Sequence, residues 1–256
     1  MPTEENNRIL AYGEAYEHDY GFERHQVAAR QRLLIELIST SSPSVVVETG
    51  CGTELLADAV AAAGLSVDQW IVIEPFPRFA DAARLAARRL PFLSVVEGFA
   101  EDVGDEVLAL AESAPDLVIC SSLLHEVADT DVLLQACRRL LISREGLLHV
   151  NIPNSRSLHR RLARAAGLIA DEAEMTSRNV IMQQRRVLDM DGLTELIVGA
   201  GIVVEESGGY MLKPFTHAQM EQLEFLTPEL LSGLFTIGRE MPELASEIYV
   251  NARVRK

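Results

Sequence analysis

The chain has 256 residues, 48% of them hydrophobic and 24% charged, and its formal net charge at pH 7 is −15. These proportions are ordinary for a globular protein, and the length is sufficient for one sizeable α/β domain with accessory elements. The acidic balance disfavours nucleic acid as a partner, because nucleic acids are bound through basic surfaces.

The first residues lack the basic-then-apolar pattern of a signal peptide, and no apolar run reaches the length of a membrane span. The three cysteines, Cys51, Cys120 and Cys137, form no Cys-x-x-Cys pair. That spacing argues against a zinc site or a disulfide framework and favours a reducing compartment. We therefore expect a cytoplasmic protein that does not associate with a membrane.

Residues 1–40 are predicted to form a helical N-terminal region. Tyr12, Tyr16 and Tyr20 are spaced by four, which places them on one helical face. Two interpretations have equal weight: the rings pack on the domain, or the segment is a lid over a ligand. From 24 to 39 the apolar residues recur at helical spacing, and a Ser/Thr/Pro cluster at 39–43 ends the helix.

The segment 44–60 is the centre of the predicted fold. Val45, Val46 and Val47 follow a proline and predict a short strand buried on both faces. The strand leads into a turn with Gly50 and Gly52 and then into helical spacing. A strand, a glycine turn and a helix start bring backbone close to a nucleotide-like ligand. A Cβ in the turn would clash with the ligand or forbid the dihedral angles.

Strands and helices alternate beyond this segment. Further strands are predicted at 70–74, 92–97, 116–120 and 146–151, with helices between them. This alternation predicts a parallel sheet with helices on both faces. Ligands of such sheets bind at the carboxyl ends of the strands, so 50–53, 74, 99–101 and 121–126 are expected to line one crevice.

The pattern changes after Pro153. A basic helix is predicted at 155–169, an irregular polar stretch follows to about 186, and a helix returns at 191–199. Strand candidates at 202–206 and 247–252 predict an antiparallel edge of the sheet. We expect 153–190 to be an insertion that covers the crevice of a domain spanning 41–256.

The glycine turn and two carboxylates indicate the ligand. Leu55 stands where the dinucleotide fingerprint has its third glycine. Glu74 closes the second strand, where a carboxylate accepts hydrogen bonds from both ribose hydroxyls. NAD and S-adenosylmethionine both satisfy these observations. Glu48 favours S-adenosylmethionine, since a carboxylate there repels a pyrophosphate but attracts an ammonium and a sulfonium.

These motifs resemble those of the class I S-adenosylmethionine-dependent methyltransferases. Residues 48–53 look like the acidic-x-Gly-x-Gly motif, 73–75 like the ribose-binding strand end, and 97–101 like the adenine segment. Residues 117–127 resemble the motif at the methyl-transfer site. The resemblance covers about 40–152 and, more weakly, 188–254. Residues 151–160 are similar to a bacterial group of small-molecule and sugar methyltransferases.

The resemblance implies a Rossmann-like, seven-stranded, mostly parallel sheet flanked by helices, with an antiparallel C-terminal edge strand, a helical cover and S-adenosylmethionine as cofactor. The expected cofactor-binding residues are Glu48, Gly50, Cys51, Gly52, Glu74, Pro75, Phe99, Ala100, Glu101, Ser121, Ser122 and Tyr20. The sequence departs from the family pattern at two positions. Glu54 stands where the family usually has glycine, and Phe99 where it often has aspartate; we expect Phe99 to pack on the adenine ring.

Methyl transfer is an in-line displacement, so the protein mainly aligns the acceptor and removes the proton of a hydroxyl. His125 follows the fourth strand and is the first candidate base. The alternative is that it caps the next helix or contacts the cofactor. Glu126 is the competing base or the group that orients the imidazole, and His159 is a second candidate base. We expect His217 and the remaining histidines to be structural or exposed.

The candidate substrate residues are Tyr12, Tyr16, Asn154, Arg156 and Arg160. A solvated helix face is the simpler interpretation of the arginines, and recognition of an anionic acceptor is the functional one. No His/Asp/Glu cluster has metal-ligand spacing, so we expect a metal-free reaction.

We therefore expect O-methylation, with N-methylation next, of a sugar or a secondary-metabolite intermediate. A non-catalytic domain that binds S-adenosylmethionine is an alternative, which Glu54 and Phe99 would support. Methylation of a protein or peptide also stays open, whereas an NAD-dependent oxidoreductase is disfavoured by the missing glycine. The interpretation allows a homodimer.

Overall fold

The computed structural model describes residues 21–141 and 146–254. The predicted roles of Tyr12, Tyr16 and Tyr20 therefore lie outside the described residues. Within these residues, no helix is long and apolar enough to cross a membrane.

The elements alternate along the chain as the sequence pattern indicates. In order they are α1 (Glu23–Ser41), β1 (Val45–Thr49), α2 (Leu56–Ala62), β2 (Gln69–Glu74), α3 (Pro77–Ala87), β3 (Leu93–Glu97), α4 (Ala100–Leu110), β4 (Leu117–Ser121), α5 (Thr130–Leu140), β5 (Leu147–Pro153), α6 (Leu158–Ala165), α7 (Ser177–Ile181), α8 (Met190–Gly199), β6 (Ile202–Tyr210), α9 (His217–Glu221), α10 (Pro228–Glu240), a 3-10 turn (Pro242–Leu244) and β7 (Glu247–Val254).

The strands form one seven-stranded sheet in the order β3-β2-β1-β4-β5-β7-β6. Neighbouring strands from β3 to β5 are parallel, with Val47 beside Ile71 on one side and Val118 on the other. β7 is antiparallel to both β5 and β6. The Rossmann-like α/β fold is thus confirmed, and its antiparallel C-terminal strand lies between β5 and the edge strand β6.

The central strands are buried because helices cover both faces of the sheet. Alternate side chains of a strand point to opposite faces. Val47 and Ile71 accordingly enter the apolar cluster beneath α4, α5 and α8. Val46 and Trp70 enter the cluster on the opposite face, with residues of α1, α2 and α3. The successive valines of β1 are therefore buried against apolar side chains on both faces of the sheet.

A third apolar cluster joins α1, α9 and α10 to the ends of β6 and β7. It includes Phe22, Tyr210 and Phe235, all buried. The backbone of Gly238 in α10 lies directly against the chain as it leaves β6. An added Cβ there would come within 2.2 Å of the Met211 backbone nitrogen. This close approach fixes α10 against the segment that leads to Lys213.

We predict that Gly238→Ala lowers the free energy of unfolding by about 2–3 kcal/mol, because backbone atoms must move to admit the methyl group. Gly233→Ala is the matched control in the same helix, since a Cβ there meets no heavy atom within 4 Å. It should raise stability by up to about 1 kcal/mol, from helix propensity. Urea unfolding of the two variants measures the difference, and equal stabilities would contradict the close packing.

Candidate active site

A cavity of about 1040 Å³ lies at the carboxyl edge of the parallel strands. Its volume is at the upper limit of typical small-molecule sites. All four segments expected at this edge contribute to its wall: the glycine turn after β1, Glu74, residues 99–101 and residues from 121 to 126. α1 and the segments that carry α6 and α7 complete the wall. The predicted convergence of strand ends is therefore observed.

The turn after β1 leaves space beside its backbone. Gly50 and Gly52 have φ of +77° and +59°, left-handed values that favour glycine. The Gly50 amide donates to the Ile73 carbonyl over 2.8 Å, which ties the turn to β2. A Cβ on Gly52 would meet no heavy atom within 4 Å. A ligand can therefore approach the backbone here.

Glu74 holds the same turn from the end of β2. Its Oε2 accepts from the Cys51 amide at 3.0 Å, and its Oε1 accepts from the Phe76 amide at 2.8 Å. Burial raises the pKa of Glu74, and these amide hydrogen bonds offset part of the rise. The carboxylate lines the cavity beside the glycine turn.

Glu48 lies on the same cavity wall, near Glu74. Its Oε2 accepts a hydrogen bond from the Trp70 indole at 3.0 Å. Burial raises the pKa of Glu48 to about 8; the Trp70 hydrogen bond opposes the rise and the Glu74 charge adds to it. A nearby cation would favour the ionised form. This pair of carboxylates makes one side of the cavity suited to a cationic ligand.

The adenine segment predicted from sequence follows β3. Phe99 is half-buried and precedes the first residue of α4, and no side chain caps this helix. Ala100 and Glu101 occupy the first turn, where backbone amides have no intrahelical acceptor. Phe99, Ala100 and Glu101 all line the cavity. The segment therefore presents an aromatic ring and backbone donors together.

The end of β4 carries two serines on the wall. The buried Ser121 hydroxyl has no hydrogen-bond partner among the described residues. Ser122 has φ of +53°, and its amide donates to the Asn151 carbonyl over 2.9 Å. A left-handed non-glycine residue costs of order 1–3 kcal/mol and is common at functional sites.

His125 is only 2% exposed and lines the cavity. Its Nε2 lies 3.5 Å from Glu126 Oε1, and its Nδ1 has no partner in the described part of the chain. Burial lowers the pKa of His125 to about 3, and the Glu247 charge acts in the opposite direction. The imidazole is therefore neutral at pH 7. Asp129 caps α5 through its side chain, so His125 does not have that role.

The other predicted catalytic and substrate residues have different surroundings. Glu126 and His159 line the cavity, and His159 Nδ1 lies 3.0 Å from the Ser157 hydroxyl. Asn154 and Arg160 also line it, but their side chains bind backbone carbonyls: Asn154 that of Ala245 at 2.9 Å, Arg160 that of Glu172 at 2.5 Å.

Arg156 is outside the cavity wall. Its side chain is half-exposed, and its Nε lies 3.9 Å from the Glu172 carboxylate. This position does not support a direct role for Arg156 in substrate binding. That role stays a prediction.

Sequence reasoning missed a network of buried polar residues centred on Glu247. The carboxylate is 1% exposed and accepts from Arg30 at 2.6 Å, Asn151 at 2.8 Å, Gln26 at 3.2 Å and the Tyr210 hydroxyl. Burial alone would raise the pKa of Glu247, but the Arg30 charge and these hydrogen bonds lower it overall. The carboxylate is therefore ionised and paired.

Lys213 and His217 were also missed as cavity residues. Lys213 Nζ lies 3.3 Å from Gln26 Oε1, and the His217 imidazole also hydrogen-bonds that oxygen. The directions of the edge strands predict the position of Lys213. β6 is parallel to β5 because both are antiparallel to β7, so its carboxyl end lies at the cavity edge, and Lys213 follows that end. The antiparallel β7 begins at this edge, which places Glu247 there.

Residues 21–141 and 146–254 contain no group of three or more His, Cys, Asp or Glu side chains that could hold a metal ion. The tyrosines predicted to contact cofactor or substrate, Tyr12, Tyr16 and Tyr20, lie outside these ranges.

The sequence model of the family described as "Methyltransferase domain" matches residues 47–149. These residues run from β1 to β5 and supply the glycine turn, both carboxylates and His125. The chain therefore contains a methyltransferase domain in these residues, which bears out the S-adenosylmethionine-dependent methyltransferase that its motifs predicted. No curated protein sequence matches the chain significantly.

Solved structures share the fold at low sequence identity. A "possible histamine N-methyltransferase" from Thermotoga maritima is 18% identical with a TM-score of 0.55, over 95% of this chain and 100% of its own. The plantazolicin methyltransferase BamL is 13% identical with a TM-score of 0.57, over 98% of both chains. The [4+2]-cyclase SpnF is 15% identical with a TM-score of 0.54, over 90% of this chain and 81% of its own. Since one of these proteins is a cyclase, the fold alone does not define the reaction.

We predict that the ion pair between Arg30 and Glu247 is strongly coupled. Arg30→Met and Glu247→Gln should each lower the free energy of unfolding by about 3–5 kcal/mol, because each leaves an uncompensated buried charge. The double variant should lose less than the sum of the two, since neither charge remains.

Arg89→Met is the exposed control for this measurement. Arg89 binds Asp58 bidentately at 2.7 Å, but both side chains are more than a third exposed. Arg89→Met should therefore lower the free energy of unfolding by no more than about 1 kcal/mol. Urea unfolding of all four variants gives the comparison. Additive losses at Arg30 and Glu247 would contradict the pairing.

Proposed function

We propose that this methyltransferase acts on a small-molecule acceptor, with O-methylation of a sugar or secondary-metabolite intermediate favoured and N-methylation next. One observation carries the proposal. A single cavity joins the glycine turn and its two carboxylates to a neutral buried histidine and to the polar groups beneath α6 and α7. A continuous cavity allows donor and acceptor to meet in line.

The residues of the glycine turn fit S-adenosylmethionine. The backbone beside Gly52 has open space, Glu74 would accept hydrogen bonds from the ribose hydroxyls, and Glu48 would stabilise the cationic amino-acid end. Phe99 would pack on the adenine ring, and the Ser121 hydroxyl, which has no hydrogen-bond partner among the described residues, would supply a further polar contact. When bound, this cofactor supplies a methyl group on a positively charged sulfur that is already activated for displacement.

The acceptor side favours a hydroxyl group. A hydroxyl must lose its proton as it attacks, whereas an amine attacks through its lone pair and needs no base in the same step. Neutral His125 would accept that proton on its Nδ1, which has no hydrogen-bond partner in the described chain, and Glu126 at 3.5 Å would stabilise the imidazolium. His159 is the second candidate base, although burial, reinforced by Lys213 and Arg160, strongly lowers its pKa.

Two alternatives are separable by experiment. A non-catalytic binding domain would hold the cofactor without transferring methyl, and a peptide methyltransferase would label a protein. Incubation with methyl-labelled cofactor and separate pools of small molecules and peptides distinguishes all three. The tyrosine lid, a homodimer, a cytoplasmic location and the lack of nucleic-acid binding stay predictions.

We predict that Glu74→Ala raises the Kd for S-adenosylhomocysteine at least tenfold, because two ribose hydrogen bonds are lost. Glu97→Ala is the matched control. Glu97 is the register partner of Glu74 on β3, but it pairs with Arg84 at 2.7 Å and lies outside the cavity wall. Its Kd should be unchanged. Calorimetric titration measures both, and equal affinities would remove Glu74 from the cofactor site.

We predict that His125→Asn lowers turnover by about 10²–10⁴-fold with little change in cofactor affinity, if the imidazole is the base. Glu126→Gln should have a smaller effect, because it removes only the charge that stabilises the imidazolium. Initial rates with an acceptor found in the labelling screen give turnover, and calorimetry gives cofactor affinity. Near-native turnover of His125→Asn would leave this residue a positioning role only.

A further inference from the structure

The side of the cavity beneath α6 and α7 is cationic, in contrast to the side with Glu48 and Glu74. Lys213 follows β6, Arg178 lies in α7 and His159 in α6, and all three line the cavity. Three separate segments therefore bring basic side chains to the wall, and all three act electrostatically on His217, so they lie close together. No single helix face produces this arrangement, so it is not the solvated basic face of α6.

Lys213 is the innermost of these residues and is only 6% exposed. The chain turns at Met211, where φ is +59°, and two residues later Lys213 enters the wall. Its Nζ contacts Gln26 Oε1 at 3.3 Å. An ammonium group has three donors, and a buried charge is stable only when paired or well hydrogen-bonded. Within the described residues its one hydrogen bond is this long contact to an amide oxygen, which compensates the buried charge only in small part.

Two described carboxylates near Lys213 both contact another cation, Arg30. Glu247 binds Arg30 at 2.6 Å and accepts three further hydrogen bonds. Glu23 also contacts Arg30, at 3.4 Å, and burial raises its pKa, which favours the neutral acid. Arg30 and Glu247 thus neutralise each other. Among the described residues, Lys213 therefore adds a positive charge to this part of the cavity beyond the Arg30–Glu247 pair, and Arg178 acts on it electrostatically.

The neighbouring histidines add no charge. Burial lowers the pKa of His217 and of His159, and the charge of Lys213 lowers both further. A neutral imidazole still has one N–H donor. His159 has the Ser157 hydroxyl at its Nδ1, so its Nε2 is the position for a donated hydrogen bond into the cavity.

We propose that Lys213 and Arg178, assisted by His159, bind an anionic group of the methyl acceptor, a carboxylate or a phosphate. This inference rests on the proposed function and defines its substrate class as acidic small molecules. The acceptor would span the cavity, with its anionic end at Lys213 and its nucleophile near His125. The electrostatics of the two ends then oppose each other, which fixes the orientation of the acceptor relative to a cationic donor.

The protonation of Lys213 makes this binding dependent on pH. Burial lowers the pKa of Lys213 to about 7; Glu23 and Glu247 act to raise it, and Arg178 and Arg160 to lower it. An anion bound beside the ammonium raises this pKa. The affinity for the anion is therefore highest below pH 7, where Lys213 is protonated. It falls as the pH rises from about 7, the pKa of Lys213 in the free protein, to its higher pKa in the complex.

The test uses the full chain saturated with S-adenosylhomocysteine, titrated calorimetrically with glucuronate, glucose 6-phosphate, inorganic phosphate and glucose at pH 6.5. We expect at least one anionic sugar to bind tenfold or more tightly than glucose. The two sugars distinguish carboxylate from phosphate, and inorganic phosphate shows whether the sugar ring contributes. Raising the pH to 8.5 should weaken glucuronate binding several-fold.

Lys213→Met and Arg178→Met should each reduce the preference for the anion at least tenfold, and Lys213→Met should also flatten the pH dependence. Arg164→Gln is the control, because it removes a charge from the same helix as His159 but is exposed and outside the cavity. Retained binding of S-adenosylhomocysteine shows that each variant is folded.

Glucose bound as tightly as the anions, no binding of any anion, or an unchanged preference in both methionine variants would overturn the inference. Failure of the wild-type chain to bind S-adenosylhomocysteine would instead count against the proposed function. The two failures are therefore distinguishable in one set of titrations.

Discussion

The buried carboxylate of Glu247 joins the parts of the molecule that enclose the cavity. It receives hydrogen bonds from Arg30 and Gln26 of α1, Asn151 of β5 and Tyr210 of β6, while it belongs to β7 itself. A buried charge without such partners would cost several kcal/mol. The arrangement therefore specifies how α1 crosses the sheet edge. Because α1 supplies one wall of the cavity, this ion pair also fixes the shape of the site.

The acidic and basic residues of the cavity wall come from different parts of the chain. Glu48 and Glu74 lie at the ends of β1 and β2, on the side of the domain matched by the family model. Lys213 and Arg178 lie beyond β5, on segments that the match does not include. The proposed donor site and the proposed acceptor site thus lie in different parts of the chain. The net charge of −15 does not indicate the basic region, because it is a sum over the acidic and basic residues of the whole chain.

Sequence reasoning predicted what depends on local pattern and strand direction. The valines of β1, the glycine turn and Glu74 follow from the strand-end rule for parallel sheets. Lys213 and Glu247 needed the directions of β6 and β7, which depend on long-range pairing rather than local sequence. The Glu48–Trp70 contact is a diagonal pair between neighbouring strands, since Val46 is the register partner of Trp70. Such pairs require the register, which alternation of strands and helices does not determine.

The cavity wall also shows how binding and stability are linked. Four buried polar atoms of the residues that line it have no hydrogen-bond partner within the described chain: Ser121 Oγ, His125 Nδ1, His217 Nδ1 and Ser246 Oγ. An unsatisfied buried group costs about 1–3 kcal/mol, and a native fold tolerates few of them. Ser121 lies near the glycine turn, whereas His217 shares Gln26 with Lys213. The unmade hydrogen bonds thus occur at both ends of the cavity.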